Sequence, residues 1–167
     1  MVMEYLDVVD EDDNVVGKGE RNAVHEKRLL HRALQVIIAN SKNEVLLQFR
    51  KATKKQFPLF WDGSVSGHVS AGQTAEQAAR REMMEEIGIR TPLEFVGKFR
   101  VNDKVGDEIV SVFFGRSDGP FKFDKTEMEK AEFFDAEAAL RVARNKSVRM
   151  TPHCRRALEL CLGRLRR

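Results

Sequence analysis

No stretch of this 167-residue chain runs apolar for the roughly 18 or more residues that a membrane-crossing helix needs, so no helical span is expected. The opening MVMEYLDVVDEDD carries acidic residues and no basic segment ahead of an apolar run, which argues against a signal peptide. Cysteine is scarce. Cys154 and Cys161 stand on one expected helix, too far apart along it for a direct disulfide, so they read as reduced thiols of a cytoplasmic protein. No internal repeat and no low-complexity linker divides the chain. Aromatic residues are missing from the arginine-rich stretch 141–167, where a single-strand nucleic-acid binder would interleave them. Nucleic acid is therefore a disfavoured partner, and a membrane has no sequence signal at all.

What is present is ordinary for a globular protein: 42% hydrophobic and 33% charged residues, enough for one domain with its own core. The net charge of +3 is spread unevenly, with acidic side chains gathered in 1–20 and basic ones in 141–167. Leu158, Cys161, Leu162 and Leu165 fall at i, i+3, i+4 and i+7, so the basic end reads as a core-packed helix with a solvated arginine face.

In chain order, 4–9 and 15–18 read as short strands around the turn Glu11–Asn14, followed by a histidine-bearing segment up to Arg32. Leu34–Ala39 and Val45–Phe49 form a hairpin, and a polar loop, Arg50–Phe57, makes the rim of a pocket. Trp61–Val69 is expected as one strand, Val96–Val101 and Ile109–Phe114 as two more, and Glu132–Phe134 as a short last one. Asp135 and Thr151–Pro152 open the two C-terminal helices. The expected fold is α+β, a mixed sheet with helices on both sides, in a single domain over 1–167 with the hairpin and histidine segment in 1–32.

The most informative stretch is Gly67–Ile89. Thr74 is placed to cap a helix that runs to about Ile87, and Gly88 suits the left-handed residue that ends one. Glu82, Glu85 and Glu86 stand at i, i+3 and i+4 on one face, while Ala75, Ala78, Ala79, Met83 and Ile87 fill the other. Three like charges so placed repel. A divalent cation reverses the penalty, and all-oxygen donors suit Mg²⁺ or Mn²⁺. The run Arg81-Glu82-Met83-Met84-Glu85-Glu86-Ile87-Gly88-Ile89 resembles the REUxEExGU core of the Nudix hydrolase box, where U is a bulky aliphatic residue. The resemblance implies an α/β/α sandwich and assigns the metal to Glu82, Glu85 and Glu86, with Glu86 or Glu85 most central. Gln73 departs from the pattern, because the family usually has there a Glu that pairs with the box Arg; the departure bears on how Arg81 is oriented.

Upstream, the chain resembles the isopentenyl-diphosphate isomerase branch of that superfamily across Arg50-x3-Lys54-Lys55-x2-Pro58-x2-Trp61-x2-Ser64-x2-Gly67-His68 and in the paired His25 and His31. The resemblance implies that Arg50 and Lys54 contact a diphosphate. Three departures weigh against isomerisation. Ser66 stands where the isomerases have a catalytic Cys, Gly106 replaces the first member of a Glu-x-Glu pair whose second is Glu108, and the His25–His31 spacing is one residue shorter. The same departures weigh against a second metal at His25, His31 and His68, and the sequence leaves that question open.

The intact REUxEE core favours a Mg²⁺- or Mn²⁺-dependent pyrophosphohydrolase acting on a nucleoside diphosphate linked to a further group, or a similar small organic diphosphate. Glu127 is the first choice for a general base outside the box, with Glu129 and Glu108 as competitors; Arg81 orients a box carboxylate. The alternatives are a prenyl-diphosphate isomerase, and a non-catalytic nucleotide-binding module. Many relatives pair, which leaves a homodimer open.

Overall fold

The computed structural model describes residues 2–166. Strands β1 (Tyr5–Val9) and β2 (Val15–Glu20) form an antiparallel hairpin. Its turn is held by Asp10 Oδ1, which accepts from the amides of Asp12 and Asn14 at 3.0 and 2.9 Å. A short helix, α1 (Arg21–Glu26), follows directly, because the Glu20 carboxylate accepts from the amides of Asn22 and Ala23 and caps it. The segment expected only to lead into a strand is thus partly helical.

The spine is β3 (His31–Ala39), which begins earlier than the apolar run predicts. Next come β4 (Glu44–Arg50), β5 (Trp61–Asp62), β6 (Val65–His68) and the helix α2 (Ala75–Ile87). After them lie β7 (Glu94–Asn102), β8 (Asp107–Arg116) and β9 (Met128–Asp135), then helices α3 (Ala136–Arg144), α4 (Pro152–Leu160) and α5 (Leu162–Leu165). One edge of β3 runs parallel to β8 over its whole length. The other edge takes three partners in turn: β1 at His31, β6 over Ala33–Val36 and β4 over Ile38–Ala39. The change from β6 to β4 forks the sheet. Ser64 fills the crotch, its hydroxyl accepting from Ile38 N at 2.8 Å and donating to Leu46 O at 2.5 Å. The strand expected without interruption over Trp61–Val69 is therefore two strands, because Gly63–Ser64 leaves the ladder to bridge the fork.

Alternation along β3 builds two cores. Leu34, Val36 and Ile38 bury against Ala78, Ala79, Met83 and Ile87 of α2. Ile37 and Ala39, with Val112 and Phe114 of β8, bury against Leu140 of α3 and Ala157 and Leu158 of α4. The result is the mixed sheet with helices on both faces that the sequence implies. Cys154 and Cys161 are both buried in the second core, and the last helix breaks at Cys161 into α4 and α5. Arg156 and Arg166 are exposed on its outer face, while Arg155 donates to Ala143 O and Asn145 O at the end of α3, and Arg164 and Arg166 pair with Glu94 and Glu137. Among the described residues no helix is long and apolar enough to cross a membrane.

Candidate active site

The face of β3 that is apolar at Ile37 and Ala39 turns polar at its beginning, where His31 and Gln35 are buried and His31 stands opposite Glu108 of β8. Here, beside the fork, lies a cavity of about 730 Å³. The acidic side of α2, the end of β6, the loop after β4 and the start of α4 all line it.

Helix α2 is held at both ends. Thr74 and Gln77 form a reciprocal capping box, with Gln77 N donating to Thr74 Oγ1 and Thr74 N to Gln77 Oε1. Gly88 ends the helix at φ 69°, and a Cβ there would meet Lys122 Cβ at 2.8 Å. Gly67 of β6 lets the helix close in, since a Cβ at that position would lie 2.7 Å from Glu82 Cδ. The three box carboxylates then differ in depth. Glu86 is buried and accepts from Gln48 Nε2 at 3.0 Å; burial, then the charge of Glu82, push its carboxyl well above the usual range. Glu82 is half-buried, and burial raises its pKa to about 7 against the pull of Arg81. Glu85 is exposed. Arg81 donates to Glu82 Oε1 at 2.9 Å, to Glu85 Oε2 at 3.2 Å and to His68 O at 3.4 Å. Box carboxylates thus take the Arg that the family pairs with a Glu at position 73, while Gln73 Oε1 is buried without a hydrogen-bond partner. A divalent cation fits this face, because it would offset carboxylate charge that burial makes unfavourable.

A second donor set lies on the same cavity. Ligand atoms of His25, His31, His68 and Glu108 all stand within 4.8 Å of one another. His31 Nδ1 is 2.8 Å from Leu29 O. A carbonyl only accepts, so Nδ1 carries a proton, and Nε2 stands 3.3 Å from Glu108 Oε1 with no hydrogen bond of its own. His68 Nε2 lies 3.2 Å from the same oxygen and 3.1 Å from His25 Nε2. Burial, reinforced by His68 and His31, pulls the His25 pKa down to about 4, and burial lowers that of His68 as well. Burial alone would raise Glu108, but the hydrogen bond from His153 and the close approach of His31 and His68 hold it well below the usual carboxylate range. Three imidazoles around one carboxylate make a nitrogen–oxygen donor set that fits a divalent transition metal. The shorter His25–His31 spacing does not prevent this gathering, because α1 folds His25 back over the start of β3.

Arg50 is not a free phosphate ligand at rest. Its NH1 donates to Asp62 Oδ2 at 3.0 Å and its NH2 to Gln56 O at 2.9 Å. Asp62, fully buried, also accepts from Gln35 Nε2 at 2.9 Å and Thr151 Oγ1 at 2.7 Å. Lys54 pairs with Glu127, so one sequence-predicted phosphate ligand neutralises the predicted base across the cavity mouth. Glu129 instead pairs with Lys51 on the outside. Ser66 Oγ lies 3.4 Å from Arg50 NH1. Sequence reasoning missed Gln48, Asp62 and His153, none of which belongs to the box; their roles come from strand register and from the approach of α4.

This forked sheet, with a capped acidic helix on one face, defines the class. The NUDIX domain profile matches residues 29–154, and the chain belongs to that family; it is an enzyme of the Nudix pyrophosphohydrolase type. An isopentenyl-diphosphate Delta-isomerase 2 of Photorhabdus laumondii is 37% identical over 120 residues, 69% of this chain and 68% of the relative. An uncharacterized Nudix hydrolase of Pseudomonas aeruginosa is 33% identical over 157 residues, 93% of this chain and 90% of the relative. Among solved structures, one from Deinococcus radiodurans superposes with a TM-score of 0.79 at 26% identity, covering 95% of this chain and 99% of that one. The NUDIX domain of Shewanella oneidensis NrtR, complexed with ADP ribose, has a TM-score of 0.65 at 16% identity, covering 83% of this chain and 88% of that one, a likeness of fold.

Proposed function

We propose that the chain hydrolyses the diphosphate linkage of a nucleoside diphosphate-X or a similar organic pyrophosphate, with Mg²⁺ or Mn²⁺ held by Glu82, Glu85 and Glu86. The observation that carries this reading is one cavity lined both by those carboxylates and by Arg50 and Lys54. Anionic groups that hold a cation face cationic groups that hold phosphate oxygens, which is the charge pattern a metal-bound diphosphate requires. A bound divalent cation supplies charge offset on the phosphate oxygens and a lowered pKa for the attacking water.

The chain's own residues do the rest. Gln48 fixes the inner carboxylate, Glu86, by donating to one of its oxygens. Arg81 ties Glu82 and Glu85 to each other and to the end of β6. Lys54 exchanges Glu127 for a phosphate oxygen when substrate enters, which releases Glu127 to accept a proton from water. The His25, His31, His68 and Glu108 set holds a second divalent ion of the transition series. The protein works as one domain, in the cytoplasm, on a small molecule rather than on nucleic acid or membrane; a homodimer is compatible with this reading.

A second reading has one observation behind it. The assembled histidine set and the Photorhabdus laumondii relative point to a prenyl diphosphate as substrate and to isomerisation. Against it, Ser66 is a far weaker acid than a thiol.

The test is phosphate or nucleotide release with Mg²⁺ and with Mn²⁺ across nucleoside triphosphates, dinucleoside polyphosphates, nucleotide sugars, NADH, coenzyme A and prenyl diphosphates. Metal-dependent release is expected, reduced about 100-fold or more in Glu86→Gln. Isomerised prenyl diphosphate without hydrolysis of any compound would replace the first reading with the second. Nucleotide binding without turnover would leave only a binding module.

A further inference from the structure

From the contact between α4 and β8 we infer that His153 is a positioning residue for the histidine–carboxylate centre: it holds Glu108 so that a single oxygen, Oε1, faces the three imidazoles. The inference rests on the reading of His25, His31, His68 and Glu108 as an ion-binding set.

Three observations carry it. The first is the division of labour on Glu108. Oε1 lies 3.3 Å from His31 Nε2 and 3.2 Å from His68 Nε2, whereas Oε2 is 2.6 Å from His153 Nε2. A carboxylate on a flexible side chain rotates unless its outer oxygen is held, and a short bond from an imidazole N–H holds it. The second is that His153 is itself fixed. It follows Thr151 and Pro152 at the start of α4, where Thr151 Oγ1 accepts from Cys154 N at 3.1 Å and donates to the buried Asp62 at 2.7 Å. The peptide ahead of it is clamped to β5 through Trp61 N to Arg149 O at 2.8 Å and Thr151 N to Trp61 O at 2.9 Å. Phe57 packs edge-on against the ring, 6.1 Å between centroids. The third is Gly106. A Cβ there would stand 3.7 Å from His25 Nδ1 and 3.9 Å from Glu108 Oε1, so the position that faces the set brings no side chain to it. Glu108 is left as the one anionic donor of the group, and its orientation decides whether the set converges.

His153 comes from a helix that supplies no other member of the set, and no sequence motif marks it. It is not a ligand in this account. It acts through Glu108.

The experiment is metal binding by the full chain stripped of metal, read without turnover. Zn²⁺ affinity is measured by competition with a chromophoric chelator, and Co²⁺ binding by its visible absorption bands, for wild type, His31→Ala, His153→Ala and His153→Gln. Wild type is expected to bind one transition ion that His31→Ala loses. His153→Ala is expected to bind Zn²⁺ about 10–100-fold more weakly and with an altered Co²⁺ spectrum. His153→Gln, which keeps an N–H donor, is expected to recover most of the affinity, and a native circular dichroism spectrum confirms that each variant folds. Wild-type affinity and spectrum in His153→Ala would overturn the positioning role while leaving the ion-binding set intact. A wild type whose Zn²⁺ and Co²⁺ binding does not respond to His31→Ala would overturn the set itself, and the positioning role with it. Because the box carboxylates are untouched in these variants, the hydrolase reading is tested separately by Glu86→Gln turnover.

Discussion

The proposed metal ligand Glu86 sits where its charge works against the stability of the ion-free fold. It is buried beside Glu82 and receives a single side-chain hydrogen bond, from Gln48. In metal-free protein a neutral amide at this position keeps the shape and removes the repulsion. Glu86→Gln is therefore expected to raise the melting temperature of the stripped protein by about 2–4 °C, near 1 kcal/mol, in the same variant that is expected to lose most of its metal-dependent turnover; scanning calorimetry in a chelator checks it. A lower melting temperature would mean that the carboxylate stabilises the fold without an ion. At this scale the sequence is legible where function follows helical period. The spacing of Glu82, Glu85 and Glu86 places them on one face with no tertiary knowledge. Gln48 and Asp62 are illegible for the converse reason, since a lone Gln or Asp within a strand says nothing about which helix or arginine will meet it.

Among the elements, α2 is the best predicted. Thr74, Ile87 and Gly88 mark its limits in sequence and in structure, because capping chemistry is local. Thr74→Ala removes the acceptor for Gln77 N and half of the reciprocal box, and is expected to cost about 1 kcal/mol, measured by urea unfolding. A change within error would show that the packed face of α2 fixes its first turn unaided. The interrupted strand at Gly63–Ser64 could not be read in the same way. Its break serves Ile38 and Leu46, two residues on other strands, and only the fork of the sheet brings them together. The early start of β9 at Met128 is likewise set by its pairing with Arg50 and Phe49 of β4 rather than by its own residues.

At the scale of the whole molecule, Asp62 ties β3, β4 and the start of α4 through Gln35, Arg50 and Thr151. Burial alone would raise its pKa, but Arg50, Thr151 and Gln35 bring it below the ordinary value. A carboxyl with a depressed folded pKa contributes stability that is complete above its unfolded value, about 3.9, and is lost as pH falls through the lower folded value. Asp62→Asn is expected to cost about 3 kcal/mol at pH 7, where Arg50 loses its buried partner, and to flatten the fall in stability below about pH 4. Unfolding curves from pH 7 to pH 2 measure both. An acid limb as steep as that of wild type would move the acid sensitivity elsewhere. The α/β/α architecture was readable because hydrophobic period and box motif agree, whereas the way α4 reaches back over β8 was not, since nothing local to His153 specifies Glu108.

The parallel register of His31 with Glu108 also orders events in time. Between those two residues the chain must traverse β4, β5, β6, α2 and β7, so their meeting awaits one of the longest loop closures in the fold. An ion that used all four groups of the proposed set would find them together only once β3 and β8 have paired, because Glu108 reaches the histidines through that register alone.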